Sequence, residues 1–126
     1  MLARTLIKAG LAGALALLCG CGETIEQRAA AMTGGDPARG KEIIPRYGCE
    51  ACHSIPGVAG ARGQVGPPLD GIAGRPALAG GLLNTPDNLM RWIRDPQAIQ
   101  PGTAMPVLGV TERDVRDIAA YLYTLR

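Results

Sequence analysis

Apolar residues recur at helical spacing in three stretches of the chain, and each stretch opens with a helix-start signal. The first two begin at Asp36-Pro37 and Thr85-Pro86, where an N-cap residue precedes a proline at the first helical position. The third begins at Thr111, and the second ends near Arg94. Their apolar faces consist of Gly40, Ile43, Ile44 and Tyr47, of Leu89, Trp92 and Ile93, and of Val115, Ile118, Ala119, Leu122 and Leu125. No strand pattern is present, so we predict an all-α fold of three to four short helices.

The region between the first two helical stretches has no such period. Residues 57–81 are rich in glycine, proline and alanine, and a loop of that length normally counts against a compact domain. The chain has no phenylalanine, one tryptophan and three tyrosines, which is a poor supply for the core of one small domain. A buried cofactor would explain both features, because it fills the interior and gives the loop a surface to pack on.

The first 20 residues read as an export signal. Arg4 and Lys8 form a basic start, and the apolar stretch after them is too short to span a bilayer. The signal ends at Leu18-Cys19-Gly20-Cys21, which resembles the lipobox of bacterial lipoproteins. We expect lipidation at Cys21, with an ordinary secretory signal as the alternative. Either interpretation predicts an exported protein on the periplasmic side of a membrane.

Residues 21–35 are polar and small, and we predict a flexible tether there, followed by one domain over 36–126. As a random coil the tether would reach about 20 Å. Arg4 and Lys8 account for the formal net charge of +2, so the rest of the chain is neutral. That balance gives no support to nucleic-acid binding.

The pattern C-x-x-C-H, formed by Cys49, Glu50, Ala51, Cys52 and His53, carries the strongest chemical signal. Two thiols at this spacing can each bond to one vinyl group of a haem, and the following histidine can bind the iron. In an oxidising compartment the two cysteines could instead form a disulfide. Zinc is a weaker alternative, because it requires four ligands and the chain offers three after signal cleavage. The sequence therefore predicts one covalent haem c.

The sixth iron ligand must come from another residue type, because His53 is the only histidine. Thioether sulfur is the other common choice. Met105 lies in the segment 101–106, an irregular loop between two prolines, whereas Met90 lies on a predicted helix and is better explained as core packing. Met32 lies in the predicted tether. We therefore predict His53 and Met105 as the axial ligands.

The order of these motifs resembles a class I monohaem cytochrome c over residues 36–126. The resemblance rests on Asp36-Pro37, Gly40-Lys41, the C-x-x-C-H motif, Gly66-Pro67-Pro68-Leu69, the 101–106 loop and Ala120-Tyr121-Leu122. It implies that the Pro67 carbonyl orients the His53 ring and that Trp92 lines the haem pocket. It also implies that Gly40 and Tyr121 lie where the terminal helices cross. Lys41 is the only lysine after the signal, so the lysine ring that mitochondrial members use for docking is absent.

These features predict a membrane-tethered carrier of single electrons in a respiratory chain rather than an enzyme. Its partners would be redox proteins, such as a quinol-oxidising complex and a terminal oxidase or reductase. The alternative is a haem-based gas sensor or small peroxidase, which requires a labile sixth ligand. Ready binding of carbon monoxide by the reduced protein would favour that alternative.

Overall fold

The computed structural model of the protein describes residues 22–126. The signal segment and the predicted lipidation site Cys21 lie outside the described residues. Within residues 22–126, five α-helices follow one another: α1 (Ile25–Thr33), α2 (Pro37–Ile43), α3 (Pro86–Arg94), α4 (Pro96–Ile99) and α5 (Glu112–Thr124). Short 3₁₀ turns lie between them, at Ile44–Tyr47, Cys49–Ala51, Ile72–Gly74 and Ala79–Gly81. The β-pairing within residues 22–126 is limited to two isolated bridges, so the predicted all-α fold is confirmed.

Helices α2 and α5 cross in close contact. A Cβ on Gly40 would lie far inside the 3.0 Å limit of real contacts with the backbone of Asp117, and 3.1 Å from Ile118 N. Glycine at this position therefore lets the two backbones touch. Helix α2 gives way to a 3₁₀ turn at Ile44, directly before Pro45, whose ring cannot continue an α-helix without strain.

A polar network beside the crossing joins α2 to α5. Asp117 is 5% exposed, and its carboxylate accepts from the backbone N–H of Asp36 at 2.7 Å and from the Arg39 guanidinium. Arg39 also donates to Asp114 at 2.6 Å, and the Tyr47 hydroxyl donates to the same carboxylate at 2.5 Å. Because the buried carboxylate of Asp117 has these partners, it carries no unpaired charge into the core.

The prediction of a flexible coil before residue 36 is wrong for most of that segment. Helix α1 has a complete capping box, in which the Thr24 hydroxyl accepts from Gln27 N and the Gln27 side chain accepts from Thr24 N. Ala29 and Thr33 lie one turn apart and are buried at 1% and 5% exposure. The helix packs on α5 and α3, so burial of this face holds it against the domain.

Helices α3 and α4 position the loop that contains Met105. Thr85 caps α3 through a bond from Asn88 N, and Leu89 and Ile93 bury its inner face. Asp95 ends α3 and caps α4, because its side chain accepts from Ala98 N at 3.0 Å. Pro96 is fully buried, so α4 is fixed at its start. The chain then turns through residues 101–110 without regular structure before α5 begins.

Candidate haem site

A cavity of about 470 Å³ lies between the helices and the loops. The side chains of Cys49, Cys52, His53 and Met105 all line it. Pro67 and Trp92, the two predicted pocket residues, also line it. The structure therefore brings all six residues, from four separate segments of the chain, to one space. The rest of the wall is mostly aliphatic and includes Ile44, Leu69, Leu78, Leu89, Ile93, Ile118 and Leu122.

The C-x-x-C-H motif folds as a single tight turn. Gly48 precedes it with φ of +71°, a left-handed conformation that favours glycine. The backbone N–H groups of Cys52 and His53 both donate to the carbonyl of Cys49, at 3.2 and 3.0 Å. This turn places both sulfurs and the imidazole on the wall of the same cavity.

The two cysteines are free thiols in this structure. Burial, and after it the nearby Glu50 carboxylate, raise the pKa of the Cys49 thiol to about 11. A dithiol oxidoreductase needs the opposite, since its attacking cysteine has a lowered pKa. Within residues 22–126 no group of three or more His, Cys, Asp and Glu side chains is arranged to hold a metal ion. Neither the redox-disulfide nor the zinc alternative gains support from this geometry.

His53 is held by the loop that follows the motif. Its Nδ1 lies 2.7 Å from the carbonyl oxygen of Pro67, and this contact makes Nδ1 the protonated nitrogen. The other ring nitrogen, Nε2, is then the one available to a metal. Gly66 permits this contact, because a Cβ there would lie 2.7 Å from Nδ1 and 2.9 Å from Nε2. The Gly66 N–H donates to Cys52 O at 2.7 Å, which ties the loop back to the motif.

Met105 lines the cavity from the irregular loop after α4. Its backbone is bound by the side chain of Gln97, whose Nε2 donates to the Met105 carbonyl at 2.9 Å. Met90 packs against the hydrophobic core and Met32 is 45% exposed on α1. Met105 is thus the methionine that the fold places beside the cysteines and His53.

The residues present suit a covalently attached haem. The cavity is concave, apolar and of the size that proteins use for cofactors. The donor set of two thiols, one oriented imidazole and one thioether is that of a c-type haem. Residues 37–126 match the family model described as Cytochrome c. The chain belongs to the cytochrome c family. This cytochrome therefore carries one covalently attached haem c and is a haem electron carrier.

Proteins similar in sequence to this cytochrome support its assignment to the family. The cytochrome c2 of Rhodopila globiformis is 38% identical over 106 residues, which cover 73% of this cytochrome and 95% of the relative. The cytochrome c-550 of Nitrobacter winogradskyi is 34% identical over 101 residues, covering 70% of this chain and 89% of that one. Cytochrome c oxidase subunit 2 of Alkalihalophilus pseudofirmus is 34% identical over 89 residues, or 70% of this cytochrome. The match spans only a quarter of that oxidase subunit.

Sequence reasoning missed several side chains that shape the site. Gln97 binds the Met105 loop, and Asn84 donates to the carbonyls of Ile72 and Arg75 at 2.8 and 2.9 Å. The Tyr123 hydroxyl on α5 donates to Asn84 Oδ1 at 2.8 Å. Arg75, which with Arg62 is a sequence candidate to contact a partner or a haem propionate, lines the cavity while its guanidinium donates to backbone carbonyls of the 66–70 loop. Most of the missed contacts join residues 6 to 12 positions apart in irregular loops, so no helical or strand period could have indicated them.

Proposed function

We propose that this cytochrome is a membrane-tethered carrier of single electrons on the periplasmic side, working in a respiratory chain. In the proposed site Cys49 and Cys52 would bind the haem covalently, and His53 and Met105 would ligate its iron. The observation that carries the proposal is the convergence of these four side chains on one apolar cavity. The haem would supply one-electron redox chemistry when bound.

The role of the protein in electron transfer is to hold His53 and Met105 in fixed positions within an apolar pocket. The Pro67 carbonyl accepts the Nδ1 proton of His53, which fixes the ring and makes its other nitrogen more basic. Aliphatic side chains from α3 and α5 line the cavity beside it. Thioether ligation raises the potential relative to a second histidine. A haem iron that already has two protein side chains as ligands would suit electron transfer rather than binding of an added ligand.

The partners follow from the same site and from the relatives. We propose that electrons arrive from a quinol-oxidising complex and leave to a terminal oxidase or reductase. Similarity to part of an oxidase subunit 2 supports a place next to an oxidase. Residues 22–126 hold eleven basic and eleven acidic side chains, so their net charge supplies no long-range attraction to a partner. A lipid at Cys21 would instead keep the cytochrome close to its partners at the membrane.

The structure of α1 bears on this anchoring. Only residues 22–24 separate Cys21 from the packed helix α1, a span of at most about 10 Å. A lipid on Cys21 would therefore hold the domain close to the membrane surface, rather than at the end of a long flexible linker. No helix among residues 22–126 is long and apolar enough to cross a bilayer.

The ligand assignment is tested on the full-length holoprotein by its visible spectrum. Native protein should show sharp c-type bands when reduced and, when ferric, the weak long-wavelength band of an iron–thioether bond. Met105→Ala should lose that band, and its reduced form should bind carbon monoxide readily. Met32→Ala, a change at an exposed methionine, should behave as native. A native protein that is already high-spin or binds carbon monoxide at neutral pH would favour a sensor or peroxidase.

The anchor is tested separately by fractionating cells that express the full chain. Cys21→Ser should move the cytochrome from the membrane to the soluble fraction and abolish incorporation of labelled palmitate. Cys19→Ser is the matched control and should leave both unchanged. Equal release by the two substitutions, or by neither, would refute lipidation at Cys21 without affecting the haem assignment.

A further inference from the structure

We propose that Gln97 is a positioning residue for Met105, fastening the loop so that the thioether stays in the haem cavity. The proposal rests on the ligand assignment above, in which Met105 binds the iron. Gln97 lies on α4 and does not line the cavity itself. It therefore acts through the backbone of the loop.

All the hydrogen bonds of the Gln97 side-chain amide are made to this one loop. Nε2 donates to Thr103 O at 2.8 Å and to Met105 O at 2.9 Å, and Oε1 accepts from Gly102 N at 3.0 Å. A primary amide has two donor hydrogens, and both are used. The partners also fix its orientation, since two are carbonyl oxygens and one is an N–H. Three bonds to residues 102–105 hold that segment as one unit.

Helix α4, which carries Gln97, is itself fixed in place. Helix α4 begins at Pro96, which is fully buried, and its first turn is capped by the Asp95 side chain. The Gln100 N–H donates to Pro96 O at 2.9 Å and closes the helix. A side chain projecting from this short anchored turn can hold the loop in place, whereas one from a mobile segment could not.

The loop has little else to hold Met105. In the described part of the chain, the other hydrogen bond to its backbone is a long one of 3.5 Å, from Met105 N to the Thr103 hydroxyl. Ala104 and Pro106 on either side are exposed. Loss of Gln97 would leave the Met105 carbonyl without its partner and free the ligand segment to move away from the cavity.

A released Met105 has no second histidine and no nearby lysine to replace it within the described residues. His53 is the only histidine, and Lys41 is the only lysine in residues 22–126. The Lys41 side chain lies beside Gly57, and it is not part of the cavity wall. A small ligand added from solution would therefore report directly how often Met105 leaves its position.

The experiment measures the rate at which imidazole binds the ferric holoprotein, together with the long-wavelength thioether band. Gln97→Ala should bind imidazole at least about tenfold faster than native, since all three hydrogen bonds from the side chain to the loop are lost. Its thioether band should fade at a lower temperature. Gln100→Ala is the matched control, because Gln100 is an exposed glutamine directly after the last residue of α4, and this variant should behave as native.

Gln97→Glu separates positioning from simple structural damage. It keeps the length and the acceptor for Gly102 N–H, but a carboxylate cannot donate to the two carbonyls. It should bind imidazole as fast as Gln97→Ala at pH 7. On acidification its protonated carboxyl can donate again, so its rate should fall relative to Gln97→Ala. If Gln97→Ala fails to fold or to attach haem, the same measurements on Gln97→Glu, which is nearly isosteric with the native side chain, test the proposal.

The outcomes distinguish this proposal from the ligand assignment. If Met105→Ala removes the thioether band while both Gln97 variants keep the native imidazole rate and band, Gln97 does not position the ligand and the proposal fails. If the native protein lacks the band, or Met105→Ala keeps it, the ligand assignment fails first. Faster imidazole binding in the Gln97 variants, with no change in Gln100→Ala, is the result we expect.

Discussion

The close crossing of α2 and α5 gives a sharp test of what holds this fold together. Gly40→Ala adds one methyl group, which in an exposed helix would stabilise by about 1 kcal/mol. Here the new Cβ would overlap the Asp117 carbonyl, deep inside the 3.0 Å limit that real Cβ atoms respect. The atom it meets is backbone, which cannot rotate away. The helices must therefore separate by about 1 Å.

The cost of that separation follows from what Asp117 binds. Overpacking in a well-packed interior costs roughly 1–3 kcal/mol. Moving Asp117 also weakens its bonds from Asp36 N and Arg39, each worth about 1 kcal/mol or more when buried. Against the small intrinsic gain of alanine, we expect a net loss of about 2–4 kcal/mol. For a domain of this size that lowers the unfolding midpoint by about 10–20 °C.

The assay is thermal and denaturant unfolding of the holoprotein, followed by far-ultraviolet circular dichroism. Gly74→Ala is the matched control, because Gly74 is exposed, lacks a positive φ and has open space around an added Cβ. It should change stability by no more than about 0.5 kcal/mol. A Gly40→Ala protein as stable as Gly74→Ala would refute the claim that direct backbone contact joins the two helices.

Three further perturbations test the site and its surroundings. Gly66→Ala should push the His53 ring out of its contact with Pro67 O and lower the yield of protein with native c-type spectra, whereas Gly74→Ala should not. The Tyr47 hydroxyl, and then Arg39, hold the pKa of Asp114 below its usual value, so this carboxylate stabilises the fold above about pH 4 and the stabilisation is lost as pH falls further. Asp114→Asn should therefore be less stable than native at pH 7 and show a shallower loss of stability between pH 5 and pH 2, and parallel acid-unfolding curves would contradict this. The double variant Cys49→Ala, Cys52→Ala, which cannot attach haem, should be largely unfolded by circular dichroism, and cooperative unfolding of that variant would count against linkage between haem and folding.

Local patterns in the sequence predicted the helices that begin with strong signals. Helices α2, α3 and α5 start next to Asp36, Thr85 and Thr111, and each of these side chains accepts from the first turn. The same kind of signal was present for α1, since Thr24 and Gln27 form the T-x-x-Q capping box. We missed it because small residues and few apolar ones follow it, and its burial depends on contact with α5.

The partners of several side chains around the site could not be predicted from the sequence. Thr111 and Asp114 have the spacing of a capping box, but only half of it forms, because Asp114 turns its carboxylate to Tyr47 and Arg39 on another segment. The contacts of Gly40 and Tyr121 likewise involve partners that the sequence does not indicate. Gly40 meets the backbone of Asp117, while Tyr121 donates its hydroxyl proton to Pro56 O. Such pairings are set by tertiary contact, which overrides the local preference of each residue.

The cavity explains why a chain with so few large apolar residues can form a domain. Its wall takes residues from α3, α5 and both long loops, so the space stands where a protein of this size would have its core. A group bound in this cavity of about 470 Å³ would bury its aliphatic wall, and burial of apolar surface is the main favourable term in folding. The covalent haem is therefore part of the core, and the loops fold around it through side chains such as Gln97 and Asn84, which bind backbone carbonyls that no helix or strand satisfies.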